Sequence, residues 1–247
     1  MGPSLQAGDC RNGEEVGRRT AQYDKRRIEE TACPHPGTVD EDGGGFGELQ
    51  VDAYPGEGEM KVLVACEFSG IVRDAFKARG HDAWSCDLLS TEKTGQHIQG
   101  DVLNHLNEGW DLMIAHPPCT YLCNTAVSWF YRRPERWNKL PDARNFFYKL
   151  LNADISKICI ENPIPHKYFY DNEKIRKYDQ IIQPWMFGHG ETKATCLWLK
   201  NLPKLQPTKI MTDRKQRIFL ERPGNERWKN RSRTLHGIAT AMAEQWG

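Results

Sequence analysis

Asp111-Leu112-Met113-Ile114-Ala115-His116-Pro117-Pro118-Cys119 decides how the rest of the chain is read. Its first five residues read as a short apolar strand. Two prolines then force an extended, rigid exit from the sheet and forbid an immediate helix. Such stiffness places the next side chain, and that side chain is a thiol, the most nucleophilic group a protein carries near neutral pH. A structural cysteine needs no such platform, so Cys119 reads as a nucleophile and Cys123 as a buried, inert thiol. His116, beside a proline on a rigid loop, reads as a packing residue without a catalytic role.

Similar runs recur on either side. Lys61 to Cys66 is followed by the turn Phe68-Ser69-Gly70 and an amphipathic stretch, Val72 to Arg79, that stops at Gly80. Asp82 to Cys86 is a second strand ending in Asp87, and Ile98 leads to Gly100-Asp101 and a short helix reaching Gly109. Leu140 to Asn152 reads as a helix, and Lys157 to Ile160 as a strand ending in Glu161-Asn162-Pro163. Strands alternating with helices at this spacing give an α/β fold, a mostly parallel sheet with helices on both faces. Ligands collect at the carboxyl ends of such strands.

The turn at 68–70, Asp87, Asp101, Cys119 and Glu161 all fall at those ends. The single glycine lets a ligand approach backbone beside a helix N-terminus, or marks an ordinary turn. Asp87, about twenty residues on, suits ribose hydroxyls; it and Asp101 could equally cap helices. Glu161, between Ile160 and Pro163, lies near apolar material, and partial desolvation raises a carboxyl pKa toward use as an acid.

The chain has 247 residues, 38% hydrophobic and 27% charged, with a formal charge of +1. That allows one domain and a tail, and no global basic field. Any DNA contact must come from a local patch. Residues 1–59 carry many charges, three consecutive glycines and no sustained apolar period, which predicts a disordered extension before a domain at 60–247. The basic cluster around Arg18–Arg19 and Lys25–Arg27 reads as a solvated or ill-formed helix in preference to a nucleic-acid arm. Met60 is itself a candidate start. Scattered cysteines without zinc spacing, and the lack of a signal peptide or membrane-length apolar run, predict a cytoplasmic protein with no metal and no membrane contact.

Taken together, Pro117-Pro118-Cys119 and Glu161-Asn162-Pro163 resemble the nucleophile loop and Glu-Asn triplet of the cytosine carbon-5 DNA methyltransferases, closest to the short proteins of bacteriophages and prophages. The resemblance covers 60–247 and implies a Rossmann-like S-adenosylmethionine-dependent fold without a large target-recognition domain. It implies cofactor contacts from Phe68, Ser69, Gly70, Asp87, Leu88, Asp101, Val102 and Pro117. Ser232 and Thr234 join them, in Arg231-Ser232-Arg233-Thr234, which looks like the last motif, closing over the methionine part. It also implies a flipped cytosine attacked by Cys119, with Glu161 holding a proton on N3, and Asn162, Lys193 and Thr195 near the base. Arg132 and Arg133, in an aromatic- and arginine-rich stretch from Trp129 to Arg136, suit either a loop closing over DNA or an exposed helix start.

Two departures stand out. The family's Gln-x-Arg-x-Arg stretch corresponds to Glu191-Thr192-Lys193-Ala194-Thr195, with both arginines lost, and lysine is not equivalent where planar bidentate contacts are made. Only about thirty residues separate Leu199 from the last motif, which predicts relaxed specificity or a partner that supplies it. Three rivals follow: the same chemistry on a deoxycytidine nucleotide or single-stranded DNA, a catalytically silent binding protein, and an amino-group methyltransferase, whose family places an aromatic residue where Cys119 stands.

Overall fold

The side chains of each apolar run alternate between two cores, as the two-residue period of a strand requires. In β1 (Lys61–Ala65), Val62 and Val64 enter one core while Leu63 and Ala65 enter the other. In β4 (Leu112–Ala115), Leu112 and Ile114 divide from Met113 and Ala115 in the same way. A sheet buried on both faces has no polar side to show, which is why these runs are apolar throughout.

The computed structural model describes residues 58–170, 174–218 and 220–247. The expectations for the first 57 residues, the basic cluster included, lie outside that range. The other strands are β2 (Asp82–Asp87), β3 (His97–Gln99), β5 (Lys157–Pro163), β6 (Gln180–Ile182) and β7 (Thr195–Lys200). They form one sheet in the order β3-β2-β1-β4-β5-β7-β6. The first five are parallel, while β7 runs antiparallel to both β5 and β6. The fold is α/β and Rossmann-like, with a mostly parallel sheet, as the sequence predicts.

On one face, α1 (Ile71–Lys77) packs with α5 (His236–Trp246) through Val72, Phe76, Ala239 and Met242. On the other, α3 (Leu140–Leu151) buries Phe147 and Leu150 against Trp198 and Phe169. Two short helices, α2 (Val127–Arg132) and α4 (Arg227–Ser232), lie in the connections. Between Val102 and Gly109 the expected helix is only one 3-10 turn, Val102–Asn104.

One boundary differs with consequence. The strand read over 157–160 continues through Pro163, because β7 pairs with it from Ile158↔Lys200 to Pro163↔Thr195. Glu161 and Asn162 are therefore strand residues, held by a ladder instead of riding on a loop. Among the described residues no helix is long and apolar enough to cross a membrane, and no group of three His, Cys, Asp or Glu is arranged to hold a metal.

Candidate active site

The end of β1 is bent by Cys66, which takes a left-handed backbone conformation (φ 59°) rare for a residue with a side chain. The bend turns Glu67 under α1. Its carboxylate, buried, accepts from the backbone N–H groups of Val72 (2.7 Å) and Arg73 (3.2 Å) and from the Ser69 hydroxyl (3.1 Å). Of the two sequence readings of the turn, these bonds favour the ordinary one. The free donors of the helix N-terminus, which could hold an anionic ligand, are occupied by the protein's own acid. Gly70 (φ 68°) and Gly95 (φ 149°) leave room for the Arg73 guanidinium, which a Cβ at either position would meet at 2.5–2.8 Å. That fully buried guanidinium bonds Asp74, Ser85 and the carbonyls of Lys93 and Thr94, pinning the loop after β2.

Beside the turn after β1 lies a small cleft of about 50 Å³, lined by Cys66, Glu67, Phe68, Ser69, His116, Ser232, Arg233 and Thr234. Arg233 reaches Glu92 through two bonds of 2.8 and 2.6 Å, and the Glu92 backbone N–H donates to the Phe68 carbonyl. The last motif is thereby latched over the first turn. Phe68 and Ser69 thus line one cleft with Ser232 and Thr234. Asp87, at the tip of β2, accepts from the Leu89 N–H (2.9 Å), and burial raises its pKa. Leu88 beside it is 73% exposed. Asp101 accepts from Leu103 N–H (3.0 Å) and so caps its 3-10 turn while staying exposed; Val102 is core and Gly70 and Pro117 are buried, none of them lining the cleft.

The nucleophile loop and the Glu-Asn strand are tied directly. Buried Asn162 donates from Nδ2 to the Pro117 carbonyl (2.9 Å), which assigns its amide to the scaffold. After Pro118, the 3-10 turn Cys119–Tyr121 brings Cys123 N–H back to the Cys119 carbonyl (3.1 Å). Arg136 braces the turn from outside, donating to the Thr120 carbonyl (2.8 Å). Cys119 is partly exposed and Cys123 buried.

The two thiols are hydrogen-bonded, so they share one proton. The first comes off easily: the bond from Cys119, then those from Thr125 and backbone N–H groups, bring Cys123 down to about 6 against the opposing effect of burial. The second is held tightly, first by that bond and then by burial, which pushes Cys119 up. Negative charge is therefore favoured on the buried Cys123 sulfur and disfavoured on the partly exposed Cys119. Cys123 is not inert packing.

Glu161 is correspondingly different from expectation. Burial does raise its pKa, but a 2.6 Å hydrogen bond from His116 Nδ1, the charges of His116 and Lys193, and Thr195 together overcome that and hold it below the usual carboxyl range. Burial alone would lower His116, yet the bond and charge of Glu161 leave it raised. His116 is thus a partner of the candidate acid. Its Nε2 is shielded from solvent and has no hydrogen-bond partner among the described residues, an omission that costs about 1–3 kcal/mol for a buried polar group. Nothing in local sequence signals this pair, whose members lie 45 residues apart.

Lys193 donates from Nζ to the Arg231 carbonyl (2.8 Å), joining this site to the last motif, and Thr195 is buried with its hydroxyl on the Lys193 carbonyl (3.2 Å). Arg132 and Arg133 are exposed and lie over Trp129, at 5.6 and 5.5 Å from the ring. Glu191, standing where the family has glutamine, is buried and accepts from Ile218 N–H (3.2 Å) and Arg217 (3.3 Å). It anchors the segment after β7, whose backbone bridges back at Phe187↔Lys209 and Glu191↔Lys215.

No family model matches the sequence, and no curated protein matches it. Among solved structures, the chain is similar to a candidate DNA modification methyltransferase encoded within an E. coli prophage, at 15% identity and a TM-score of 0.40, over 62% of this chain and 52% of that one. It is similar also to a methyltransferase of Entamoeba histolytica, at 14% identity and a TM-score of 0.40, over 69% of this chain and 62% of that one. The chain spans between about half and three fifths of the length of these two structures.

Proposed function

We propose that this chain transfers a methyl group from S-adenosylmethionine to carbon 5 of cytosine in DNA through a covalent adduct on Cys119. The observation that carries the reading is the bond from Asn162 to the Pro117 carbonyl. It locks a rigidly presented thiol to the strand that carries Glu161, whose partner His116 lines the cleft.

The cleft fits the methyl donor in chemistry. Phe68 and Arg233 offer a ring and a guanidinium 5.9 Å apart, Ser232 and Thr234 offer hydroxyls, and Asp87 stands ready for ribose hydroxyls at the neighbouring strand end. No phosphate-binding helix N-terminus is needed, and Glu67 has closed the one that was present. Asp101, Leu88, Gly70, Val102 and Pro117 frame the same edge. When bound, the donor supplies an electrophilic methyl carbon.

The protein's part begins with the Cys119 thiolate, which adds to carbon 6 of an extruded cytosine. Glu161 holds a proton on N3, drawing charge from the ring so that carbon 5 becomes nucleophilic. Lys193 and Thr195 steady Glu161, while Arg132 and Arg133 take the flanking phosphates. After methylation, a water molecule takes the proton from carbon 5, the carbon 5–carbon 6 double bond re-forms and the thiolate leaves carbon 6.

DNA is favoured over a free nucleotide by the charge of residues 201–233, which hold ten lysines and arginines against three acids on a chain of net +1. Incubation with labelled S-adenosylmethionine and DNA containing 5-fluorocytosine is expected to give a denaturant-stable labelled complex, absent in Cys119→Ser. Labelling of DNA without any such complex would point instead to amino-group methylation.

A further inference from the structure

We propose that His116 is a positioning residue that acts through Glu161: the proton shared between His116 Nδ1 and Glu161 Oε2 is the one delivered to N3 of the cytosine. The inference rests on the covalent mechanism proposed above. It answers a difficulty that this mechanism meets here. Glu161 must present a proton near neutral pH, but His116, Lys193 and Thr195 all favour its ionised form. Against burial, which favours the proton, these partners prevail and leave it ionised.

The imidazole supplies what the carboxylate lacks. Its Nδ1 lies 2.6 Å from Glu161 Oε2, a short, charge-assisted contact across which a proton moves with little rearrangement. Its second nitrogen has no hydrogen-bond partner among the described residues, so the hydrogen bond to Glu161 is the route the geometry offers the proton. Three charged groups bear on the ring. Glu161 from β5 and Glu67 from the turn after β1 favour the charged imidazole, and Lys193 before β7 opposes it. The charge of Glu161 in turn bears on Cys119.

The step balances. As Sγ of Cys119 bonds to carbon 6, the carbon 5–carbon 6 electron pair moves into the ring and N3 takes a proton from Glu161. Glu161 takes one from His116 Nδ1, and the imidazolium becomes imidazole. When the thiolate leaves, N3 returns its proton along the same path.

His116→Asn separates this role from mere support, since the asparagine amide can keep a donor near Nδ1 but holds no transferable proton. Adduct formation on 5-fluorocytosine DNA is followed in single turnover from pH 5 to 9. The wild type should lose rate as pH rises through a midpoint above 6.5, where His116 discharges. His116→Asn should be slower by about 100-fold or more at pH 7.5 and recover as pH falls, because burial favours a protonated Glu161 once the imidazole is gone. A wild-type rate and profile in His116→Asn overturns the inference, and so does a loss that is equal at every pH. As a test independent of that variant's folding, the His116 ring is titrated by NMR. A midpoint above 6.5 in the wild type that falls in Glu161→Gln is expected, and one below 6.5 in the wild type overturns the inference. Absence of any wild-type adduct would instead sink the covalent reading itself.

Discussion

Cys119 and Cys123 share a proton, and the consequence is measurable at a single residue. The bond from Cys119 and that from Thr125 at 3.2 Å bring Cys123 down to about 6, while the same bond to Cys123, ahead of burial, holds the Cys119 thiol up. In Cys123→Ala the midpoint for alkylation of Cys119 by iodoacetamide should therefore fall, and the methylation rate at pH 7 should rise. An unchanged alkylation profile would leave Cys123 with only a packing role. Cys119 itself was legible because proline writes rigidity into the sequence. Cys123 was not, since a thiol four residues on becomes a neighbour only once a 3-10 turn folds the chain back.

At the scale of elements, β1, β2, β4 and α3 were legible from apolar runs and glycine stops, because their burial depends on periodicity alone. The end of β5 was not. Its last three residues are a strand only because β7, more than thirty residues later, lies antiparallel beside them, and no local propensity encodes that pairing. The His116–Glu161 bond was hidden for the same reason, being made between the ends of two adjacent strands. The latch between Glu92 and Arg233 joins positions 141 residues apart. Both side chains are about one third exposed, so solvent screening limits the pair to about 0.2–1 kcal/mol. Arg233→Ala should weaken S-adenosylmethionine binding by about two- to five-fold in calorimetry, with little change in thermal stability. An unchanged Kd would mean that the last motif stays in place without its latch. The bond to Arg233 holds the Glu92 carboxyl below its usual range, so the latch persists through neutral pH and opens only as acid protonates Glu92.

The whole molecule is close to neutral, and its charge is unevenly placed. Residues 201–233 form a strongly basic border, held against the loop before β7 by the buried Glu191 carboxylate and by backbone bonds such as Gly188 N–H to the Lys209 carbonyl (2.7 Å). Lys209 and Arg222 are fully on the surface. Replacing both with alanine should weaken duplex DNA binding in fluorescence anisotropy equally for unrelated sequences. It should also reduce the slope of log K against log salt by about 2, near one per lost phosphate contact. A slope that does not change would remove this border from the interface. Arg73 sets a different kind of limit. A guanidinium keeps its charge at any pH a folded protein meets, and here it is clasped by a hydroxyl, a carboxylate and several carbonyls. The loop that it pins is therefore indifferent to acidity. Acid and base act on this protein elsewhere, at its sulfurs, at the His116–Glu161 pair and at the Glu92 latch.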